Sequence, residues 1–295
     1  MASPARMLRE LLNRKGEALV VPGGGSPLDL LLAEQAGFAA GYVSGYATAA
    51  HRFALPDIGQ VAFAEIADMV RATAAVVSIP LIVDADTGYG DVANVRRTVR
   101  GLEAAGAAAV QIEDQVWPKR CGHMEGKVVE PRAVALRKLA AALESRRDPD
   151  TLIVARTDAR GPHGLDEALE RCLAFKRLGA DILFVDGPVS TEELRIIGRE
   201  LPGPVMANMS ESGKTPLHSA AELAEMGYAI ALFPSSTVRI ALAAVREFLT
   251  ELRRTGDSRG WVSRMASLAD TNATLGLGAI HAFEAAMLER SENAT

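Results

Sequence analysis

The sequence predicts an α/β protein, a closed (β/α)8 barrel of the TIM type with an extra helical extension at its C-terminal end. Three observations predict it. Eight short apolar or β-branched runs recur along 295 residues, amphipathic stretches separate them, and polar residues gather just after them. Runs that are apolar throughout read as strands buried on both faces, as parallel sheets require. Eight strand–helix units fit a closed barrel better than an open doubly wound sheet.

The runs fall at residues 18–21, 40–43, 81–85, 108–112, 152–155, 182–185, 205–207 and 230–233. Helical patterns lie between them, most clearly at 95–105, 132–146, 165–178 and 219–226. Four of the helix-to-strand joints carry a glycine, Gly37, Gly106, Gly179 and Gly227, the residue that best terminates a helix in the left-handed conformation. No low-complexity segment or linker divides the chain, so residues 1–295 read as a single barrel domain. Beyond the eighth run, residues 237–253 and 261–290 are helical in pattern. That exceeds what an eighth helix needs, so residues 240–295 are expected to pack on the barrel or on a partner subunit.

Composition excludes several classes. A net charge of −5, with both signs well mixed, does not suit nucleic acid or a membrane surface. No charged-then-apolar leader stands at the start, and no apolar run approaches the ~20 residues of a membrane span. A cytoplasmic location is expected. Cys121 and Cys172 lack CxxC spacing, which argues against a structural zinc site, and a reducing compartment makes their pairing the weaker reading. The run Gly23-Gly24-Gly25 fits neither GxGxxG nor GxxxxGK[ST], so it is a poor phosphate loop.

In such barrels the active groups stand just beyond the C-terminal strand ends. Ser44, Gly45 and Tyr46 follow the second run, Asp84 and Asp86 end the third, and Glu113-Asp114 follow the fourth. Arg156, Asp186, then Asn208 and Ser210, then Ser235, Ser236 and Arg239 follow the fifth to eighth. The segment Lys119-Arg120-Cys121-Gly122-His123-Met124-Glu125-Gly126-Lys127 adds a thiol among cations and glycines. Nearby cations favour a thiolate, and glycines allow a loop to bend and close. A lone cysteine is usually a small buried residue. Here, however, Lys119, Arg120, His123 and Lys127 would be costly to bury unpaired. Residues 117–128 therefore read as a gating loop whose cations repel one another and gain partners only when an anionic ligand fills the mouth. Cys172, inside a helical pattern, reads as core. Asp84 and Asp86 divide evenly between metal binding and a structural role, one of them capping the next helix. Asp57, after Pro56, divides evenly between a turn residue and a mouth residue. His51 and His163 read as surface or packing residues.

The runs Val83-Asp84-Ala85-Asp86-Thr87-Gly88-Tyr89-Gly90, Ile112-Glu113-Asp114-Gln115, residues 118–127, Ala155-Arg156-Thr157-Asp158-Ala159 and Ala207-Asn208-Met209-Ser210 occur in one order along the chain. Together they resemble the isocitrate lyase/phosphoenolpyruvate mutase superfamily, in the length range of its methylisocitrate lyase and dimethylmalate lyase branch. The resemblance implies Mg²⁺, with Mn²⁺ as a substitute. Asp86 is then the direct ligand, with Asp84 and Glu113 holding water on the ion. It implies Cys121, Lys119, His123 and Glu113 as catalytic residues. The substrate would be met by Tyr42, Ser44, Gly45, Tyr46, Asp57, Arg120, Gly122, Arg156, Asp186, Asn208, Ser210 and Arg239. The implied partner is a small anionic 2-hydroxy or 2-oxo acid, and the implied assembly is a homotetramer of helix-swapped dimers.

The implied reaction is cleavage of a 2-hydroxy di- or tricarboxylate into a 2-oxo acid and a carboxylate, with Cys121 as general acid. Two alternatives stand beside it. One is an oxaloacetate hydrolase or decarboxylase, or a mutase of the carboxyphosphonoenolpyruvate or phosphoenolpyruvate type, since Gly213-Lys214-Thr215-Pro216 also resembles those mutases. The other is a non-catalytic carboxylate-binding barrel. Two departures from the family pattern bear on the substrate: Gly25-Ser26-Pro27 in the first strand loop, and Asp186 where the family commonly has Glu. Tyr46 fills space that methylisocitrate lyases leave open, which weighs against a bulky tricarboxylate.

Overall fold

Alternation along each strand decides what this chain buries and what it presents. The computed structural model describes residues 3–14, 16–122 and 124–293. Its strands are β1 (Leu19–Gly24), β2 (Gly41–Val43), β3 (Leu81–Asp84), β4 (Ala107–Glu113), β5 (Leu152–Thr157), β6 (Ile182–Val185), β7 (Val205–Asn208) and β8 (Ile230–Phe233). They close into a barrel in sequence order, all parallel, with β8 returning to β1 through Leu19↔Ile230. This is the predicted (β/α)8 barrel, with helices in the connections and a C-terminal helical extension. The expected strand positions hold to within a few residues.

Two apolar clusters follow from the two-residue period. Val43, Val83, Ile153, Leu183 and Ala207 point outward and pack under the helices. Tyr42, Ile82, Leu152, Val154, Ile182, Phe184, Met206, Ile230 and Leu232 point inward and fill the barrel. The same parity carries forward, so Ser44, Asp84, Glu113, Arg156, Asp186 and Asn208 stand inward at the mouth. The four joint glycines adopt positive φ, 91°, 110°, 113° and 98° for Gly37, Gly106, Gly179 and Gly227, where any side chain is strained.

The other end of the barrel is stoppered by a helix absent from the sequence reading, Pro4–Leu12. Ser3 caps it, and Ala5 and Leu8 join the inner cluster. Arg9 ties it down through the Asp150 carbonyl (2.7 Å) and Asp181 (3.0 Å).

The chain divides into two compact units, Met1–Arg239, which carries the barrel, and Ile240–Thr295. The second unit contains most of the helix Ser236–Thr255, a 3-10 segment Arg259–Arg264, and helices Leu268–Thr274 and Leu277–Glu292. The helical pattern over 261–290 is thus three pieces. Ser267 and Asp270 form a capping box, and Gly276 at φ 78° precedes the last helix. Within this unit Trp261 packs edge-on against Phe248, and Arg264 stacks over the Trp261 ring. The last helix buries no residue, and Phe283 is 65 % exposed. No helix among the described residues is long and apolar enough to cross a membrane.

Candidate active site

One cavity at the C-terminal mouth gathers Tyr42, Ser44, Tyr46, Asp57, Asp84, Lys119, Cys121, Gly122, Arg156, Asp186, Asn208, Ser210 and Arg239. Every one was expected from sequence to serve the site. Ser44 caps the helix Gly45–Phe53, its Oγ accepting the Ala47 N–H at 3.1 Å. The first-turn amides of that helix have no intrahelical acceptor, and its positive end favours anions. A Cβ on Gly45 would come within 3.1 Å of Asp84 Oδ2 and 3.5 Å of Asp86 Oδ1, so the helix end closes directly over both carboxylates.

Asp84 ends β3 and accepts from the Asp86 N–H and from Gln111 Nε2, each at 3.2 Å. Asp86 leaves the strand in the left-handed region at φ 46°. Neither residue caps the next helix, whose N-cap is Asp91. Lys119 Nζ donates to Asp57 Oδ1 at 2.5 Å and lies 3.0 Å from Asp86 Oδ1. Asp57 is therefore a mouth residue. Burial pushes the Asp86 carboxyl up to about 7 against the pull of Lys119, with Asp84 and Asp57 adding to the rise. Burial also raises the Glu113 carboxyl, opposed by Arg156. For Lys119, burial is outweighed by Asp86, Asp57, Glu113 and Asp84, and the ammonium stays charged well beyond its ordinary range.

Carboxylates outnumber cations here, a surplus that suits a divalent cation. Buried oxygens on two of the side chains, Glu113 Oε1 and Gln111 Oε1, have no hydrogen-bond donor among the described residues, and Asp86 Oδ1 faces the Lys119 ammonium. Hard cations take oxygen ligands of this kind, and Mg²⁺ needs few from protein because it keeps several waters. No group of three acidic, His or Cys side chains among the described residues converges as a complete ligand set. The donors fit an ion shared with waters and substrate oxygens.

Beside this cluster Arg156 lies in a cage of carboxylates. It is bidentate to Asp158 (Nε 2.9 Å, Nη2 3.1 Å), donates to Asp186 Oδ2 at 2.8 Å, and stands 3.3 Å from Glu113 Oε2. Asn208 Nδ2 holds the other Asp186 oxygen at 3.0 Å. Burial works against Asp158, yet Arg156 and Lys127 hold its carboxyl below the usual carboxylate range. A guanidinium so placed presents a planar fork in a fixed direction.

The segment 117–128 stands on a single antiparallel bridge. Val116 N–H donates to the Val128 carbonyl at 2.9 Å, and Gln115 pairs with Val129. The Gln115 side chain clasps both the amide (3.0 Å) and the carbonyl (2.9 Å) of Arg120. Cys121 N–H donates to the Asp57 carbonyl at 3.2 Å, which sets the thiol at the cavity edge. A Cβ on Gly122 would overlap Asp186 Oδ2 and crowd Arg156, so only glycine lets the loop descend this far.

Three expectations need correction or relocation. The loop cations do not wait for a ligand to supply partners, because Lys119 pairs with Asp57 and Asp86, and Lys127 with Asp158 at 2.8 Å. Arg120, expected to meet substrate, is exposed and turned towards the Glu125 carbonyl at 3.4 Å, outside the cavity lining. Gly25-Ser26-Pro27 also lies away from the cavity. Gly25 and Ser26 amides donate to Asp29, Ser26 caps the helix Pro27–Gln35, and a Cβ on Gly25 would collide with the Ala47 carbonyl. His123 lies outside the described residues. Cys172 is fully buried, as expected of core.

Sequence reasoning missed several neighbours. Phe184 and Leu232 line the cavity, and strand parity alone would have placed them two residues before Asp186 and Pro234. Arg171 reaches Asp114 at 3.0 Å and the Glu130 carbonyl at 2.8 Å beneath the mouth. Tyr89 adopts φ 59°, packs edge-on to Trp117 at 5.7 Å, and buries a hydroxyl that has no partner among the described residues. Its position between Gly88 and Gly90 was the available signal.

Comparison with known proteins gives consistent results. The phosphoenolpyruvate phosphomutase family model matches residues 8–253. A 2,3-dimethylmalate lyase of Eubacterium barkeri is 40% identical over 280 residues, covering 95% of this chain and 96% of the relative. A 2-methylisocitrate lyase of Aeropyrum pernix is 44% identical over 262 residues, covering 89% and 84%. Among solved structures, 2,3-dimethylmalate lyase, described as a PEP mutase/isocitrate lyase superfamily member, aligns with TM-score 0.92 and 34% identity over 97% of this chain and 96% of that one. Oxaloacetate acetylhydrolase bound to 3,3-difluorooxalacetate aligns at 0.91 and 34% over 96% and 97%. Phosphonopyruvate hydrolase with oxalate and Mg²⁺ aligns at 0.87 and 30% over 96% and 99%.

Proposed function

The chain belongs to the phosphoenolpyruvate phosphomutase family and is a carbon–carbon lyase in it, and we propose that it cleaves a 2-hydroxy di- or tricarboxylate of the alkylmalate or methylisocitrate type. The observation that carries this reading is the placement of a loop thiol, Cys121, in one cavity with Arg156, Asn208, Ser210 and Asp84. A small organic acid suits these groups. One carboxylate meets Arg156 at Nη1, the end of the guanidinium turned away from Asp158 and Asp186, with the second N–H of Asn208, and another meets Ser44 with the first-turn amides of Gly45 and Tyr46.

A divalent cation serves the family's chemistry, and we assign Mg²⁺, held by Asp86 with Asp84 and Glu113 around it. When bound it acts as a Lewis acid towards the substrate oxygens. The chain's own groups move the protons. Glu113, with one buried oxygen that has no donor among the described residues, takes the substrate hydroxyl proton. The electrons of that O–H bond form the carbonyl of the 2-oxo acid as the C–C bond breaks. The electron pair of the broken bond goes to the departing carboxylate fragment, and the Cys121 S–H supplies the proton that completes it. Solvent then restores both proton inventories. Lys119, charged and fixed by Asp57, stabilises the developing negative charge beside the thiol.

Tyr46 stands at the rim with the Arg239 guanidinium 5.8 Å from its ring centre. That pair narrows the entrance and favours the smaller alkylmalates. We also propose a homo-oligomer joined by a second copy of residues 240–295, on the strength of Ile280, Phe283 and Leu288, each more than half exposed on one helix. Cys121 and Cys172, neither of them in a disulfide, suit a reducing, cytoplasmic setting. Light scattering tests the first of these. For the reaction, 2-oxo acid release from a panel of 2-hydroxy acids with Mg²⁺ is the test, and oxaloacetate or phosphonopyruvate as the sole substrate would point to the sister activities.

A further inference from the structure

We propose that Lys127 is the latch of the loop over the site and a positioning residue for Cys121. Its ammonium makes two contacts of different kinds. One goes to the loop's own tip, the Gly122 carbonyl, at 2.5 Å. The other goes to Asp158 Oδ1 at 2.8 Å, just beyond β5. The side chain is only 6 % exposed, although the backbone around it belongs to a surface loop. A long cation folded back across its own loop and buried against a strand end has one evident mechanical effect. It joins the residue next to the thiol to the rigid barrel.

The anchor is firm. Asp158 has no exposed surface and is gripped by both Nε and Nη2 of Arg156. Arg156 is in turn fixed by Asp186, and Gly122 lies directly on that pair. The loop tip therefore touches the anchor twice, by close backbone packing at Gly122 and by the ammonium of Lys127. The packing sets how far the loop can descend, and the ammonium holds it there. Removing the ammonium takes a donor from the Gly122 carbonyl and leaves Asp158 Oδ1 to Arg156 Nη2, which favours a raised loop where water reaches the carbonyl. Arg156 stays in place, since its remaining contacts are untouched. The loss falls on the thiol.

This inference rests on the reading of Cys121 as proton donor, and its test separates the two. In the full-length protein, iodoacetamide alkylation followed by mass spectrometry reports loop position without any substrate. Cys172 is fully buried, so Cys121 is the thiol that reacts. Lys127→Met and Lys127→Gln should raise the Cys121 alkylation rate about tenfold or more, the factor that one charge-assisted hydrogen bond supports. In turnover both variants should lower kcat by about tenfold to a hundredfold with KM changed by less than about threefold, as expected when a reacting group is misplaced and substrate binding is intact. Both variants lose a buried partner of Asp158, so their melting temperatures should fall by several degrees, and the absence of alkylation at the fully buried Cys172 shows that the rate is read on folded protein. Alkylation rates within twofold of wild type in both variants would overturn the latch, whatever the substrate proves to be. A rise in KM with kcat unchanged would overturn the positioning of Cys121.

Discussion

Replacing Lys119 by Met removes the one ammonium that neutralises Asp57 and Asp86 while keeping most of the apolar stem. The two ion pairs, at 2.5 and 3.0 Å, lie among side chains only 5–8 % exposed. Deleting one partner of a buried pair typically costs about 3–5 kcal/mol, because the other charge is left without compensation. At roughly 2 °C per kcal/mol for a chain of this size, the melting temperature in excess EDTA should fall by about 6–10 °C. Part of that loss should return with Mg²⁺, since an ion at Asp86 supplies the missing positive charge. At a hundredfold excess over its dissociation constant a ligand returns about 2.7 kcal/mol. Calorimetry of wild type and variant, each with EDTA and with Mg²⁺, measures both effects. A loss below about 1 kcal/mol, the range of an exposed ion pair, would refute the claim that Lys119 is the buried counter-ion of the carboxylate cluster.

Three further outcomes are expected. Cys121→Ser should lower turnover by about 10²–10⁴, the usual worth of a general acid, with the melting temperature unchanged; near-normal turnover removes the thiol from the chemistry. Asp86→Asn should weaken Mg²⁺ and Mn²⁺ binding in titration calorimetry, and it also bears on pH. A carboxyl raised from 3.8 to about 7 on folding contributes stability that is full below 3.8 and is lost as pH rises through about 7. In EDTA, wild type should therefore lose stability across that window more steeply than Asp86→Asn; equal slopes would contradict the assignment. Gly122→Ala places a methyl on the Arg156–Asp186 pair, so kcat should fall by about 10² or more, the scale of an ångström of misplacement. An unchanged kcat would show that the loop need not descend to that pair.

Much of the barrel was legible because a two-residue period and a closed topology leave little freedom. Once the runs with Asp84, Arg156, Asp186 and Asn208 at or next to their C-terminal ends are strands of one barrel, those four side chains must meet at the mouth. Pairings across long sequence separations were not legible. Lys119 finds Asp57 at a separation of 62 residues and Lys127 finds Asp158 at 31, and nothing local in residues 119–127 says that acids lie waiting for them. The resemblance set Arg120 against the substrate, whereas here Gln115 clasps its backbone and its guanidinium turns towards the Glu125 carbonyl. The break in the C-terminal helical pattern had visible causes, a serine–aspartate capping box at Ser267 and a glycine at 276, which apolar periodicity overrode.

The central claim, that the thiol over this mouth completes a carbon–carbon cleavage, is tested most directly by one labelled turnover experiment. The enzyme is incubated in D₂O with Mg²⁺ and each of a panel of 2-hydroxy di- and tricarboxylates, and both products are followed by mass spectrometry. The account predicts equimolar 2-oxo acid and carboxylate, with solvent deuterium at the carbon released from the broken bond. It also predicts that the signal is lost in Cys121→Ser and in excess EDTA. Full turnover by Cys121→Ser, or products in which every carbon–carbon bond of the substrate survives, would contradict it.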